Sequence, residues 1–363
     1  HKRYSGIPQD TLEGLLNQLA DIDLGEEDED TFGRVYEYFI REFARKEGRG
    51  GEFYTPKNVV ELLVEILEPY EGRIFDPFCG SAGMFVQSKK FIEEHGGDEE
   101  KISVYAQEIN NATLRMCKMN LFIRGIEGDI KLGDSIRDDQ HQGLKADRLI
   151  TNPPFNISEW GKDAVADDDP RFKYGMPPRN NANVAFMKHM IHHTEDDGMV
   201  GTVMANGSMS IQGDQGDIRK EIIEDDLLDV VISLPENLFY STVIPVCIWV
   251  LSKDKQKDEY RDRKGETLFI NASDMYEEVD STLNRLTETQ IQTVADTVRA
   301  HRGEEDTDEY EDKIGFCKVE TKDEIADNQY IVTPGRYVGV EEDTGDDIPF
   351  DIKIEELSAE LRD

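Results

Sequence analysis

A chain of 363 residues with 37% apolar content can bury a substantial core, and it reads as one large domain with appendages. It carries 78 acidic against 41 basic residues, a net charge of −37, and no apolar run near the length of a bilayer span, so no membrane role is expected. Its four cysteines, Cys79, Cys117, Cys247 and Cys317, show no CxxC or His/Cys ligand spacing, which fits reduced thiols in a cytoplasm and excludes a structural zinc motif.

The start, HKRYSGIPQD, is no signal peptide, and a first residue other than Met points to a fragment of a longer protein. Residues 10–24 and 30–48 carry apolar positions at three- and four-residue spacing and are expected to be helical. In KNVVELLVEILEPY a further helix is predicted, with Thr55 as its N-cap, Pro56 at its first position and Pro69 as its stop. Strands and helices then alternate. GRIFDP and ISVYAQEI read as strands, with a helix from Met84 to about His95 between them. The helix NATLRMCKMNLFIRG leads to the strands DIKLGD and ADRLITNPP. After a polar insert come the helix NVAFMKHMIHHT, the strand GMVGTVMAN, the helix GDIRKEIIEDD, and the strands LLDVVISLP and IPVCIWVLS. Such alternation predicts a mostly parallel α/β sheet with helices on both faces. The last two strands are too close for a crossover helix, so the final one is expected to be antiparallel. From about residue 254 the chain is charged and poor in apolar residues until NQYIVTPGRYVG and the terminal helix FDIKIEELSAELRD.

Three strand ends carry acids. IFDPFCGSAGMF places Asp76 at the end of a strand, followed by a small-residue turn containing Gly80, Ser81, Ala82 and Gly83. That turn fits either tight helix–strand packing or close approach of a ligand to the backbone. It lacks the Lys-Ser/Thr of a phosphate-binding loop, and its early acid would repel a pyrophosphate while suiting an amine or sulfonium. Glu108 ends the next strand, where an acid can accept both ribose hydroxyls or cap a helix. Asp134, at the following strand tip, is placed to meet an adenine amino group. Together they describe a nucleoside site not built for phosphate, and S-adenosylmethionine is the cofactor that fits. In TNPPFN (Thr151–Asn156) two prolines end the strand and leave free carbonyl acceptors beside an amide and a ring. That is either a plain loop exit or a grip on a flat, amine-bearing ring. His189, His192 and His193 show no partnered acid ligand pattern, and no metal is expected. Asn206 and Ser208 line the cleft or turn the chain, and the polar stretch 167–183 is either a lid or disordered.

DPFCGSAG followed by TNPPF resembles the amino-methylating DNA methyltransferases. The wider order of GEFYTP, YGMPP with NVAFMKHM, GMVGTVMANGSM, ENLFYSTVIPVCIWVLSK and YIVTPGRYVG resembles the modification subunit of type I restriction–modification systems, from about residue 30 to the C terminus. The resemblance implies a class I S-adenosylmethionine-dependent methyltransferase fold, Rossmann-like, with a mostly parallel seven-stranded sheet and an antiparallel last strand. It divides the chain into the remainder of an N-terminal helical domain (1–50), a catalytic domain (51–253) and an acidic extension (254–363) whose terminal helix docks other subunits. It makes Glu52, Phe53, Tyr54, Thr55 and Pro56 a wall of the cofactor site. It also gives Asp76, Gly80, Ser81, Ala82 and Gly83 to the methionine end, Glu108 to the ribose and Asp134 to the adenine. Ala82 stands where many relatives have Gly. Asn152, Pro153, Pro154 and Phe155 become the catalytic loop.

A conjugated exocyclic amine is a poor nucleophile. Acceptors from the Asn152 side chain and the Pro153 carbonyl can bond both its N–H groups and favour a pyramidal nitrogen, while Phe155 stacks on the extruded ring. Positioning then supplies most of the catalysis. No Pro-Cys nucleophile motif is present, which argues against cytosine C5, and Asn-Pro-Pro-Phe favours adenine N6 over cytosine N4 by resemblance. A protein glutamine-amide methyltransferase and a non-catalytic scaffold are the alternatives.

The acid is distributed through GEEDED, VADDDP, GEEDTDEYED and VEEDTGDD, as in proteins adapted to a salt-rich (halophilic) cytoplasm. With roughly six phosphate contacts, passing from about 0.15 M to about 3 M salt would cost about seven decades of affinity for double-stranded DNA. Because no sequence-reading module is visible after residue 253, a separate DNA-specificity subunit is expected. The resemblance implies the same, and allows for a restriction (nuclease and translocase) subunit.

Overall fold

The computed structural model describes Tyr36 and residues 55–166, 168–239, 244–305 and 307–340. Glu52, Phe53, Tyr54, the terminal helix and, apart from Tyr36, the expected N-terminal helices lie outside the described residues. Tyr36 is helical, and its hydroxyl donates to the Met116 carbonyl (3.2 Å).

Short apolar runs between amphipathic helices build a single sheet. Its strands are β1 (Gly72–Asp76), β2 (Ile102–Glu108), β3 (Gly128–Leu132), β4 (Ala146–Thr151), β5 (Thr194–Ala205), β6 (Leu228–Ser233), β7 (Val246–Ser252), β8 (Glu266–Asn271) and β11 (Cys317–Thr321). A separate exposed hairpin pairs β9 (Glu277–Asp280) with β10 (Leu283–Arg285). The sheet order is β11-β8-β6-β7-β5-β4-β1-β2-β3. Strands β1 to β5 run parallel, and β7 is antiparallel to both β5 and β6, as the short connection before it predicts.

The expectation of seven strands is corrected to nine. Strand β8 adds parallel to β6, and β11 adds antiparallel to β8, so the sheet continues past residue 253. The acidic extension expected from residue 254 thus shares the sheet of the catalytic domain instead of following it. Leu268, Phe269 and Ile270 are fully buried, and α6 (Glu288–Arg302) packs on α1 (Lys57–Leu67).

Successive residues of each central strand face opposite layers, as the pleat requires. Ile74, Val230, Ile248 and Leu268 join the core beneath α1, α2 (Gly83–Glu94), α3 (Asn111–Ile123) and α6. Phe75, Val231, Trp249 and Phe269 join the core beneath α4 (Asn183–His192) and α5 (Asp214–Glu224). Charged contacts tie α6 to α1. Arg299 bonds Glu65 and Glu68, both at 2.6 Å, and Arg302 donates to the Ile66 carbonyl at 2.6 Å. Among the described residues, no helix is long and apolar enough to cross a membrane.

Candidate active site

Because β1 to β4 are parallel, their C-terminal ends share one edge of the sheet, where loops in such folds form ligand crevices. Neighbouring register pairs Ile74 with Arg148 and Phe75 with Leu149, which brings Asp76 beside Thr151. The glycine turn and the Pro-Pro exit therefore stand side by side. They line one cavity of about 390 Å³, within the range typical of small-molecule sites. Thr55, Asp76, Gly80, Ser81, Gly83, Glu108, Asp134, Asn152 and Pro154 all face it.

Gly80 adopts φ +51°, a left-handed turn conformation that glycine enters at little cost. A Cβ on Gly83 would meet no heavy atom within 4 Å, so this glycine is not there for tight packing; it leaves the cavity floor open. Ala82 is fully buried at φ +72° and does not line the cavity, unlike its neighbours in the turn. The turn is held from outside the sequence motif. Asn120 donates to the Ser81 carbonyl (2.7 Å), and Ser135 donates to the Pro77 carbonyl (2.5 Å).

The three strand-tip acids differ in their surroundings. Asp76 is 1% exposed and accepts from the Thr151 hydroxyl and from the Phe78 N–H (3.0 Å). Burial pushes its carboxyl up to about 7; those two hydrogen bonds offset only part of the rise, and the charge of Glu108 adds to it. Glu108 is also raised by burial, although its oxygens accept from the N–H groups of Gly80 (3.1 Å) and Asn110 (2.7 Å). Asp134 caps its own turn through the N–H groups of Ile136 (2.9 Å) and Arg137 (3.1 Å).

In the loop after β4, the Asn152 amide Nδ2 donates to the Thr55 hydroxyl oxygen at 3.0 Å. Its Oδ1 is buried with no hydrogen-bond partner. Such an orphaned acceptor costs about 1–3 kcal/mol unless a donor arrives, so it marks where an N–H would be received. Pro153 is buried and does not line the cavity. Phe155 does not line it either. It is half-buried with its ring edge-on to Phe239, centroids 6.3 Å apart. Pro56 is buried and is itself the N-cap of α1, which has no side-chain cap bond, so the cap expected of Thr55 is not made.

The described residues of the polar insert pack against the rest of the fold. Trp160 lines the cavity at 3% exposure, and Phe172 is buried beneath the stretch. Arg171 fastens it through Asp169 (2.7 Å) and the carbonyls of Ser135 (3.1 Å) and Ile136 (2.9 Å). The histidine run does have an acid partner, contrary to its sequence reading. His193 Nδ1 bonds the Leu144 carbonyl and its Nε2 bonds Asp139, both at 2.9 Å. Asp139, His189 and His193 hold their ligand-capable atoms within 4.8 Å of one another. The Arg171 guanidinium donates to His189 Nδ1 at 3.4 Å, which puts that ring's proton on Nε2 and already supplies positive charge there. Ser208 accepts from Trp249 Nε1 (3.1 Å) inside the core, and neither it nor Asn206 lines the cavity.

The cavity suits a cationic nucleoside. It offers four acidic side chains (Asp76, Glu108, Asp134 and Glu159), an open backbone turn and apolar walls, and among the described residues no cation offsets the buried Asp76 and Glu108. Residues 27–346 match the family model described as N-6 DNA Methylase. The methylase subunit of the MjaIX type I restriction enzyme of Methanocaldococcus jannaschii is 44% identical over 99% of this chain and 65% of its own length. The HindI methylase subunit of Haemophilus influenzae is 42% identical over 100% of this chain and 83% of its own. Among solved structures, a type I restriction–modification methyltransferase subunit from Streptococcus thermophilus superposes with a TM-score of 0.79 at 26% identity, covering 91% of this chain and 68% of that one. This chain spans 65% of the length of the first of these relatives, 83% of the second and 68% of the Streptococcus thermophilus subunit, whose Rossmann-like methyltransferase fold it shares. It belongs to the N-6 DNA methylase family, among the methylase subunits of type I restriction–modification systems.

Proposed function

We propose that this chain transfers a methyl group from S-adenosylmethionine to the N6 amino group of an adenine flipped out of duplex DNA. The observation that carries the reading is the buried, unpartnered Asn152 Oδ1 in the cavity that also holds the open Gly80–Gly83 turn. When bound, S-adenosylmethionine supplies an electrophilic methyl group. The protein's own residues place it and prepare the amine. Asp76 and the glycine turn hold the methionine end, Glu108 the ribose and Asp134 the adenine; Thr55 belongs to the same wall, Pro56 behind it does not line the cavity, and Glu52, Phe53 and Tyr54 are assigned to the wall by family resemblance alone. Asn152 Oδ1 and the Pro153 carbonyl accept the two N–H bonds of the target and localise its lone pair, and Phe155, half-buried beside them, stacks on the extruded ring. The segment around Trp160 closes the cavity and excludes water. No observation favours the glutamine-amide or scaffold readings.

Residues 254–340 complete the sheet edge, and membership among type I methylase subunits supports a distinct specificity subunit as partner and a restriction subunit beside it. The distributed acid supports a salt-rich cytoplasm as the working medium. Asn152→Ala is the test. Methyl transfer to DNA should fall by about 10²–10³-fold, with cofactor affinity unchanged, and mass spectrometry of wild-type product should show N6-methyladenine. Retained transfer, or methyl on cytosine, would refute the assignment.

A further inference from the structure

Thr55 stands directly before α1, where a hydroxyl would ordinarily cap the helix, yet Pro56 takes that place and no side-chain cap bond forms. Its hydroxyl reaches across 97 residues of sequence to accept from Asn152 Nδ2 at 3.0 Å. A terminal amide has two orientations of similar intrinsic energy, related by a half-turn about χ2. Only one of them offers a carbonyl oxygen to an incoming amine. The other presents an NH₂ group, which cannot accept.

We propose that Thr55 is a positioning residue that selects the acceptor orientation of the Asn152 amide. This assignment rests on the DNA-methylation reading and deepens it. By holding Nδ2, Thr55 leaves Oδ1 as the group presented to the substrate, which accounts for an oxygen that is buried and unpaired. Thr55 also lines the cavity, so the amide is fixed from the same side as the bound ligands. The role is additional to that of a cofactor wall, because its effect on the transfer step passes through the orientation of Asn152.

The test compares Thr55→Val, which keeps the shape and loses the hydroxyl, with Thr55→Ser, which keeps the hydroxyl. On the full-length chain in its assembled complex, Thr55→Val should lower the transfer rate at saturating cofactor and DNA about tenfold, the worth of one net hydrogen bond. The dissociation constant for S-adenosylmethionine should stay within about twofold, and Thr55→Ser should recover most of the rate. In an Asn152→Asp background both side-chain oxygens accept, so adding Thr55→Val should cost less than about twofold. A raised cofactor dissociation constant with an unchanged saturated rate would overturn the proposal, as would an equal loss in the Asn152→Asp background. A second readout does not depend on the substrate. In protein labelled with ¹⁵N-asparagine, the Asn152 side-chain NH₂ resonances, assigned by their disappearance in Asn152→Asp, should show slow hydrogen exchange that Thr55→Val abolishes. Unchanged exchange would overturn the proposal even if DNA proved not to be the substrate, whereas an absence of DNA methylation by the wild type would count against the functional reading alone.

Discussion

Two aspartates lie equally deep in this sheet and meet opposite fates. Asp229, on β6, is fully buried beside Arg263, whose Nε stands 3.2 Å from its Oδ1, with Arg302, Lys255 and His301 near by. Burial pushes its carboxyl up, but those positive charges outweigh it and hold the group down at about 2. Asp76, at the tip of β1, is as deeply buried and has only a hydroxyl, a backbone N–H and another acid for neighbours, and it sits at about 7. The contrast teaches where the protein completes its own electrostatics. On the β6–β8 side the countercharge is built in. At Asp76 it is left out, as suits a group whose countercharge arrives with the ligand.

Removing the built-in charge should give the largest effect. Arg263→Leu leaves Asp229 with its nearest partner gone, and stability should fall by about 3–5 kcal/mol, read from urea midpoints. The second test sharpens the contrast through pH. Asp76 is raised above its ordinary value, so the folded state holds a proton that the unfolded state has lost, and stability falls as pH rises from about 4 through about 7. Asp229 is depressed, so its contribution is present above about 4 and is lost as pH drops towards about 2. Asp76→Asn should therefore stabilise the protein by roughly 1–3 kcal/mol at pH 8 and by much less at pH 4, while weakening cofactor binding. A variant equally stabilised at both pH values would contradict the reading. The smallest effect belongs to the turn beside Asp76. In Ala82→Gly, relief of a left-handed alanine is offset by the lost buried methyl and greater chain freedom, so the net loss should stay under about 1 kcal/mol, checked by the same midpoints.

Much of this was legible in the sequence because the signals are local. The glycine turn, the Asn-Pro-Pro-Phe exit and the alternation of strands and helices each occupy one short stretch, and the structure keeps them in the expected order. The added strands were hidden by composition. Leu268, Phe269 and Ile270 in β8 make a three-residue apolar run inside charged sequence, and β11 alternates with Lys318 and Glu320, so neither stood out within the acid-rich stretch 254–363. Helix α6 does show Ile291, Val294, Ala295 and Val298 at helical spacing, and the surrounding charge masked a readable pattern. What no local reading could supply are the contacts between distant segments. Thr55 with Asn152, Thr151 with Asp76, and Asp139 with His193 exist only once the sheet has set its neighbours.

The placement of β8 between β6 and β11 bears on how such a gene can be rearranged. A recombination breakpoint in the stretch joining β7 to β8 would sever Asp229 from Arg263 and strip α6 from the helix that begins beside Thr55. The sheet strands from β1 through β11 therefore form one packed unit, and an exchange at that seam keeps it intact only if both contacts are matched across the joint.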